Sequence, residues 1–245
     1  MEDLKVIAEI GSNWNGNEKI GKKLIKLAKY AGADYVKFQM WRASDLYRKT
    51  NRYWPAIKRS EFTPKIAKKF KEYGDEVGID CIWSVFYPEA VDVLEDINVK
   101  IYKVASITSA LKHRFATETL ERLSETKKPI IISMGLGGSK KKIESLLHEN
   151  KKYFLYCISK YPTRLNEISF TEMNKFDGFS DHTEGILAPI IFALQNKNTR
   201  EPKFLEKHIS IKESTGPDKP FSLDMDELKI CIDEIAKIKS LNALN

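Results

Sequence analysis

The chain has 245 residues, of which 42% are hydrophobic, and a formal net charge of +7 at pH 7. Its length is ordinary for one domain built around a single large core. No apolar run approaches the roughly 20 residues that span a membrane, and no charged-then-apolar leader opens the chain, so the pattern excludes a membrane helix and favours a cytoplasmic protein.

The positive charge is spread over helical segments. Residues 18–30 and 64–73 alternate lysines with apolar residues at helical spacing, which is typical of solvated helix faces. This distribution disfavours nucleic-acid binding, although a basic protein still favours a small anionic substrate. The three cysteines, Cys81, Cys157 and Cys231, fit no metal-binding spacing and are interpreted as reduced, buried thiols.

The apolar periodicity predicts eight strand–helix units in succession. The predicted strands cover residues 5–11, 34–40, 79–86, 100–106, 129–135, 153–159, 178–182 and 203–210. The helices that follow them cover residues 18–32, 63–78, 88–98, 113–127, 139–151, 167–176, 185–197 and 225–241. Short apolar strands alternating with amphipathic helices indicate a parallel sheet, and eight such units close into a barrel. The sequence therefore predicts an α/β fold, a (β/α)8 TIM barrel, as a single domain over residues 1–245.

The main alternative is an open, doubly wound sheet that binds a dinucleotide. Such a sheet would carry Gly-x-Gly-x-x-Gly after its first strand. Residues 11–16 read Gly-Ser-Asn-Trp-Asn-Gly and lack that spacing, so we expect no dinucleotide site.

One predicted connection, residues 41–62, is unusually long. Strand-to-helix connections normally take about 2–6 residues, and longer insertions at a barrel mouth are often lids or binding loops. This segment carries several arginines and aromatic residues. We expect either a lid or, as the alternative, a surface excursion or subunit contact.

In a barrel, the chemistry lies where the strands end at their carboxyl side, because the loops there converge on one mouth. Every predicted strand ends in polar residues: Glu9, Asn13, Lys37, Gln39, Ser84, Lys103, Ser106, Ser133, Ser159, Tyr161, Ser180, Asp181, His182, Glu206 and His208. A lysine or glutamate that points into an apolar barrel is disfavoured unless it is paired or binds something. As a set, these residues predict a binding or catalytic site at the mouth of the barrel.

Two histidines end neighbouring strands of the predicted barrel. Adjacent strands lie about 5 Å apart, so His182 and His208 reach the same height. Two neutral imidazoles at that separation can share a divalent metal, although a strand-end histidine can also serve only as a hydrogen-bonding group. Glu9 and Glu206 offer nearby carboxylates that could support the metal or act as a general base.

Two lysines, Lys37 and Lys103, end other strands among several serine hydroxyls. Cations with hydroxyls suit a compact anion that bears phosphate or carboxylate. A barrel lysine can instead form a Schiff base, which leaves a lysine-dependent aldolase as an alternative.

Motifs spread from residue 6 to residue 228 resemble the sialic acid synthase family in order and spacing. They read VIAEIGSNWNG, GADYVKFQ, YKVAS, PIIISMG, YCISKYPT, GFSDHT, LEKHIS and GPDKPFSLDMDEL. The resemblance implies a metal-dependent barrel that condenses phosphoenolpyruvate with an aldose to give a 2-keto-3-deoxy sugar acid and phosphate. It implies Mn²⁺ as the ion, with Mg²⁺ or Co²⁺ as alternatives, and a homodimer.

The resemblance also implies a role for each matching position. His182 and His208 become the metal ligands, and Glu9 becomes the catalytic carboxylate. The implied phosphoenolpyruvate pocket consists of Lys37, Ser84, Lys103, Ser106, Ser133 and Ser180. The implied sugar or metal-water contacts are Gln39, Tyr161 and Asp218, with Asn13 as a further substrate-binding residue. Lys37, Lys103 and Tyr161 join Glu9 as catalytic candidates.

Some positions depart from the family pattern. Asn13-Trp14-Asn15-Gly16 stands where the family has Asn-His-x-Gly, and WSVF and SMGL replace Ser-Thr-Pro-Phe and Ser-Thr-Gly-Met. The sequence ends at Asn245, directly after the eighth predicted helix, whereas many members carry a further antifreeze-like domain. We therefore expect the part of the site that binds the anion to be retained and the part that binds the sugar to be altered. The alternative to an enzyme is a non-catalytic barrel that binds an acidic or phosphorylated ligand.

Overall fold

The computed structural model describes residues 4–199 and 201–241 and contains eight parallel strands that close into a barrel in chain order. The strands are β1 (Leu4–Glu9), β2 (Tyr35–Met40), β3 (Asp80–Val85), β4 (Tyr102–Val104), β5 (Ile130–Ser133), β6 (Lys152–Cys157), β7 (Gly178–Asp181) and β8 (Lys203–His208). The barrel closes where β1 pairs with β8, from Leu4 opposite Lys203 to Glu9 opposite His208. The predicted TIM barrel is confirmed.

Helices connect the strands. They are α1 (Glu18–Ala31), α2 (Ala43–Leu46), α3 (Trp54–Arg59), α4 (Pro64–Val77), α5 (Pro88–Asp96), α6 (Ser106–Ser109), α7 (Ala116–Glu125), α8 (Lys140–Leu146), α9 (Phe170–Met173), α10 (Leu187–Gln195) and α11 (Met225–Ser240). Short 3-10 turns cover Gly11–Trp14, Leu165–Glu167 and Lys219–Phe221. Among the described residues, no helix is long and apolar enough to cross a membrane.

Local sequence signals set the helix ends. The side chain of Asn17 accepts hydrogen bonds from the first amides of α1, and the helix ends at Gly32, whose φ of 99° is available to glycine at little cost. In α4, Thr63 caps the first turn and Pro64 occupies a position whose N–H would have no partner. These signals explain why the predicted bounds of both helices agree with the observed bounds to within a residue or two.

The segment predicted as one long loop, residues 41–62, is partly helical. It contains α2 and α3, which pack on the rest of the protein through the buried side chains of Trp41, Ala43 and Ile57 and the neighbouring Phe86. The sequence did not predict these two helices, because neither is long enough to show a periodic apolar face.

Apolar side chains fill the amino-terminal half of the barrel interior. This layer consists of Ile7, Ile82, Ile101, Ile131, Leu155 and Phe204. Alternate residues of a strand share a face, so Glu9 and Glu206 follow Ile7 and Phe204 on the inner side. The polar groups therefore lie on a closed apolar floor and open only toward the carboxyl ends of the strands.

Trp14, which stands at the family's usual histidine, belongs to the core between strands and helices. It is 2% exposed, and its ring lies 4.8 Å from that of Phe62 and 5.4 Å from that of Phe70. Phe38 and Trp83 complete this aromatic cluster. The tryptophan thus packs away from the barrel mouth.

A buried ion pair lies on the outer face of β7 and β8. Lys207 Nζ is 2.7 Å from Asp181 Oδ2, and the two side chains are 1% and 0% exposed. Asp181 also accepts hydrogen bonds from the amide and hydroxyl of Thr183. The pair joins the two strands whose ends carry the histidines.

Candidate active site

A cavity of about 280 Å³ opens at the carboxyl ends of the strands. The predicted residues that line it are Glu9, Lys37, Gln39, Ser84, Lys103, Ser106, Ser133, Ser159, Tyr161, Ser180, His182, Glu206 and His208. Asn13 and Asp218 are not part of the lining. The barrel thus brings residues from all eight strands or the turns after them into one site.

Lys37 is held at the base of the cavity by carboxylates and a hydroxyl. Its Nζ lies 2.8 Å from Glu9 Oε2 and 3.7 Å from Glu206 Oε2, and it donates a hydrogen bond of 3.1 Å to Ser84 Oγ. Its side chain is 4% exposed. A buried ammonium is tolerated here because it is paired and hydrogen-bonded.

Lys103 occupies the neighbouring position with a similar set of partners. Its Nζ donates to Ser133 Oγ at 2.7 Å and lies 3.9 Å from Glu206 Oε2. Glu206 accepts a further hydrogen bond of 2.8 Å from Ser180 Oγ. The two lysines therefore share one carboxylate, with a serine beside each of the three charged groups.

Glu206, predicted from the sequence as a strand-end carboxylate near the histidines, lies between the two lysines. Its position between both lysines could have been inferred from its spacing, since it lies two residues before His208 on the inner face of β8. Its Oε2 atom is buried without a hydrogen-bond partner among the described residues, although both ammonium groups lie within 4 Å.

The charged groups shift one another's pKa values. Burial raises the pKa of Glu9 to about 7, and the nearby Glu206 raises it too, while Lys37 and a hydrogen bond from Gln39 act in the opposite direction. Burial also disfavours the charged form of Glu206, but Lys103 and Lys37 outweigh burial and lower its pKa. Glu206 therefore stays ionised at neutral pH, whereas Glu9 changes between its ionised and neutral forms near pH 7.

The lysines respond differently to the same surroundings. Burial lowers the pKa of Lys103. Burial acts on Lys37 in the same direction, but Glu206 and Glu9 outweigh it and raise the pKa of Lys37. Lys37 is thus the more firmly protonated cation.

His182 and His208 lie side by side, with ring centroids 5.5 Å apart. His182 Nδ1 is 2.8 Å from the carbonyl oxygen of Ile158, which can only accept, so Nδ1 carries the proton and Nε2 keeps a lone pair. The Nδ1 atom of His208 is buried without a partner among the described residues. Burial, followed by the neighbouring His182, lowers the pKa of His208 well below its usual value and keeps this ring neutral.

This donor set fits a divalent ion with two protein ligands. No third His, Cys, Asp or Glu groups with the histidines as a ligand set in the part of the chain that the structure describes. Water or substrate oxygens would complete the shell. Although burial acts to lower it, the pKa of His182 is raised by Cys157 and by the Ile158 carbonyl, so a metal would compete with a proton at this ring.

Tyr161 and Gln39 complete the cavity wall near these groups. The Tyr161 ring lies 4.3 Å from that of His182. Gln39 donates a hydrogen bond to Glu9 Oε1. Tyr161 thus adjoins the histidine pair, and Gln39 adjoins Glu9.

Asp218 and Asn13 hold loops in place just outside the cavity. Asp218 Oδ2 accepts hydrogen bonds from the amide of Ser12 at 3.0 Å and from its hydroxyl at 2.7 Å. Asn13 Nδ2 donates to the carbonyl of Ile209 at 2.8 Å. A Cβ atom at Gly11 would lie 2.7 Å from Asp218 Oδ2 and 3.3 Å from Glu9 Oε1, so the absence of a side chain there allows this close packing.

Comparisons with known proteins agree with this geometry. The model of the NeuB family matches residues 24–243. The chain belongs to the NeuB family. It is therefore an enzyme, and the expectation of a synthase of the transferase class is confirmed.

The matched proteins include named synthases. An uncharacterized protein of Methanocaldococcus jannaschii is 32% identical over 98% of this chain and 72% of its own length. N,N'-diacetyllegionaminic acid synthase of Campylobacter jejuni is 28% identical over 98% of this chain and 77% of its own length. The crystal structure of the sialic acid synthetase from Leptospira borgpetersenii, solved with citrate, superimposes with a TM-score of 0.82 at 24% identity, covering 99% of this chain and 87% of that one. That superposition supports the fold.

Proposed function

We propose that the protein condenses phosphoenolpyruvate with an open-chain aldose of the N-acetylmannosamine type. The products would be a 2-keto-3-deoxy sugar acid of the nonulosonic class and phosphate. The observation that carries the proposal is the joint placement of two buried lysines and two adjacent imidazoles in one cavity. Membership of a family with named sugar-acid synthases supports it.

The lysines and serines would bind the two anionic groups of phosphoenolpyruvate. Lys37 and Lys103 are both within 4 Å of one Glu206 oxygen, which shows that a single anionic oxygen can contact both cations. Hydroxyls at Ser84 and Ser133 already bond the two ammonium groups and are placed to donate to a ligand instead. Charge-assisted bonds of this kind hold a phosphate or carboxylate firmly.

His182 and His208 would hold the divalent ion, expected to be Mn²⁺, and a bound ion would polarise the aldehyde oxygen of the sugar. Both rings offer a nitrogen in the neutral state, as a metal requires. The flanking rings of Tyr161 and Phe221 hold the histidines in place.

The reaction balances with the groups of this chain. C3 of phosphoenolpyruvate forms a bond to the aldehyde carbon, and the aldehyde oxygen receives the proton that Glu9 takes from the attacking water. Water adds at C2 and loses its proton to Glu9, whose pKa of about 7 suits both uptake and return of a proton. The C2–O bond to phosphate then breaks as the C2 hydroxyl gives its proton to the departing phosphate, leaving the 2-keto acid and phosphate. Lys37, as the more firmly charged lysine, stabilises the negative charge on the departing phosphate.

The test is sugar-dependent phosphate release. Purified protein with phosphoenolpyruvate, Mn²⁺ and N-acetylmannosamine or related aldoses should release phosphate only when both substrates are present. In ¹⁸O-labelled water, the label should enter the keto acid and not the phosphate, because the C–O bond breaks. Lys37→Met should abolish release, and Lys26→Met, which removes an exposed lysine of α1, should not.

Two other results would each overturn the proposal. Phosphoenolpyruvate binding without phosphate release from any aldose would favour a binding protein. A covalent adduct at Lys103, trapped with pyruvate and borohydride, would favour the lysine-dependent aldolase, for which the lowered pKa of this buried amine is a suitable property.

A further inference from the structure

Two side chains beside the cavity each bury a polar atom that bonds nothing in the part of the chain that the structure describes. They are Asp45 Oδ2, in α2, and His113 Nδ1, in the turn between α6 and α7. A buried polar atom without a hydrogen bond costs free energy. A carboxylate oxygen accepts hydrogen bonds and an imidazole nitrogen can donate one, so each group could satisfy the other.

Both groups flank the same aromatic side chain, Phe86. Helix α2 belongs to the apolar cluster around Phe86, and the His113 ring lies 6.1 Å from the Phe86 ring on another side. The charge of Asp45 reaches the imidazole: burial lowers the pKa of His113, while Asp45, and after it Glu118 of α7, act in the opposite direction. The carboxylate and the ring are therefore close to each other but not bonded.

The second ring nitrogen of His113 already has a partner. Nε2 lies 2.9 Å from the hydroxyl oxygen of Thr108, which is fully buried. A threonine hydroxyl can donate to Nε2, and this leaves the ring proton on Nδ1. In that tautomer, Nδ1 is a donor without an acceptor, and Asp45 holds an acceptor without a donor.

Helix α2 is fixed at its start and borders the cavity at its end. The amide of Ala43 donates to Glu61, and the Ala43 side chain is buried. Leu46 ends the helix, and both Leu46 and the next residue, Tyr47, line the cavity. A small rotation of α2 about its start would carry its carboxylate toward the imidazole and move these two side chains over the cavity.

We propose that Asp45 and His113 are positioning residues whose side chains bond each other when α2 closes over the cavity. The bond is not made in the open form described here. Closure regains the free energy that the two unpaired groups lose in the open form, and it helps to exclude water from the substrates. The inference rests on the proposed function only for the ligand that drives closure, phosphoenolpyruvate.

The first experiment measures amide hydrogen exchange of residues 43–49 with and without phosphoenolpyruvate and Mn²⁺. The ligands should slow exchange about tenfold in the wild type and much less in His113→Phe or Asp45→Ala, because a bond between these groups is lost. The controls make the same changes at exposed residues, His148→Phe and Asp96→Ala, and should behave as the wild type.

Unfolding in urea separates closure from a merely structural role. The pair is unmade in the open form, so ligand-free His113→Phe should unfold at the same urea concentration as the wild type or a higher one. A lower midpoint together with full protection by the ligands would show that His113 supports the open structure instead, which would overturn the proposal. Full protection in both variants, with binding confirmed by calorimetry, would overturn it as well.

A second experiment needs no substrate, because protonation of His113 should also close the pair. The neighbouring cations are engaged elsewhere: Lys112 donates to the carbonyl of Leu136, and the Arg114 guanidinium lies 4.8 Å from the centre of the ring next to it in sequence. Burial holds the pKa of His113 below its usual value of about 6.5, so the closed form gains at lower pH and is lost as pH rises through that pKa.

In the ligand-free wild type, exchange of residues 43–49, corrected for the intrinsic effect of pH, should be about tenfold slower at pH 5 than at pH 8. The difference should disappear in His113→Phe and in Asp45→Ala. The same corrected rate at both pH values in the wild type would overturn the pair. If calorimetry shows no binding of phosphoenolpyruvate, the proposed function fails, and this second experiment alone decides whether the two residues close α2.

Discussion

Replacing Gln39 with methionine should move the pH dependence of the reaction toward higher pH. Gln39 donates a hydrogen bond to Glu9, and this bond stabilises the ionised carboxylate. If ionised Glu9 accepts the proton of water, kcat/KM falls as pH falls through the pKa of about 7. Loss of the hydrogen bond favours the neutral form of Glu9, so the pKa rises and the acid limb of the profile moves with it.

The size of the shift follows from the strength of the bond. A hydrogen bond to a charged group contributes about 1.5–3 kcal/mol, and one pKa unit corresponds to about 1.4 kcal/mol. Allowing for water to replace part of the lost bond, we expect a shift of about one unit. At pH 7 the ionised fraction of Glu9 would fall from about one half to about one tenth, which lowers kcat/KM about fivefold through ionisation alone. That part of the loss should disappear near pH 9.

The assay is the pH profile of kcat/KM for sugar-dependent phosphate release, recorded for the wild type and the variant. Gln195→Met is the matched control, because it makes the same change at an exposed residue that ends α10. Ionisation of the phosphate of free phosphoenolpyruvate affects all three proteins equally and cancels in the comparison. A Gln39→Met profile with an unchanged midpoint and a uniformly lower rate would refute the assignment of Glu9 as the group that titrates.

Four further outcomes are expected. Lys37→Met should weaken phosphoenolpyruvate binding by about 1.5–3 kcal/mol in calorimetry, and unchanged affinity would mean that the anion binds elsewhere. His182→Ala and His208→Ala should each lose bound Mn²⁺, measured by elemental analysis, while far-ultraviolet circular dichroism stays unchanged; full metal content in either variant would contradict the paired-ligand site. Lys207→Met should lower the free energy of unfolding in urea by about 3–5 kcal/mol, because it leaves a buried aspartate unpaired, and a loss below about 1 kcal/mol would contradict that reasoning. If residues 41–62 close over bound substrates, phosphoenolpyruvate, Mn²⁺ and a sugar should slow cleavage of this segment by trypsin, whereas equal rates with confirmed binding would rule out a lid.

The barrel could be predicted from the sequence because each strand–helix unit repeats the same pattern, an apolar strand followed by an amphipathic helix. Apolar runs of strand length are followed by helices with lysine-rich solvent faces, and caps such as Asn17 and Gly32 mark where one gives way to the other. The short helices α2 and α3 could not be predicted, since neither has enough turns to develop a periodic pattern and both are held by tertiary packing of Trp41 and Ile57.

Most of the cavity could also be predicted, because strand ends in a barrel share one mouth and inward residues recur at every second position. The exceptions are residues in turns beyond the strands. Asn13 and Asp218 follow no strand period, and their side chains bond Ile209 and Ser12 respectively instead of lining the cavity. The residue types alone do not distinguish a polar side chain that binds a ligand from one that holds a loop.

The arrangement at the base explains how a barrel interior tolerates four ionisable groups before any substrate arrives. Lys37 and Lys103 are balanced by Glu206 and by Glu9 in its ionised form, so the cluster is close to neutral. An anion that enters this cluster upsets the balance, and neutrality is regained when Glu9 takes up a proton or when a divalent cation binds nearby. The pKa of about 7 lets Glu9 make that adjustment at neutral pH. In the proposed reaction, the same carboxyl group that offsets a lysine in the free protein would exchange a proton with water.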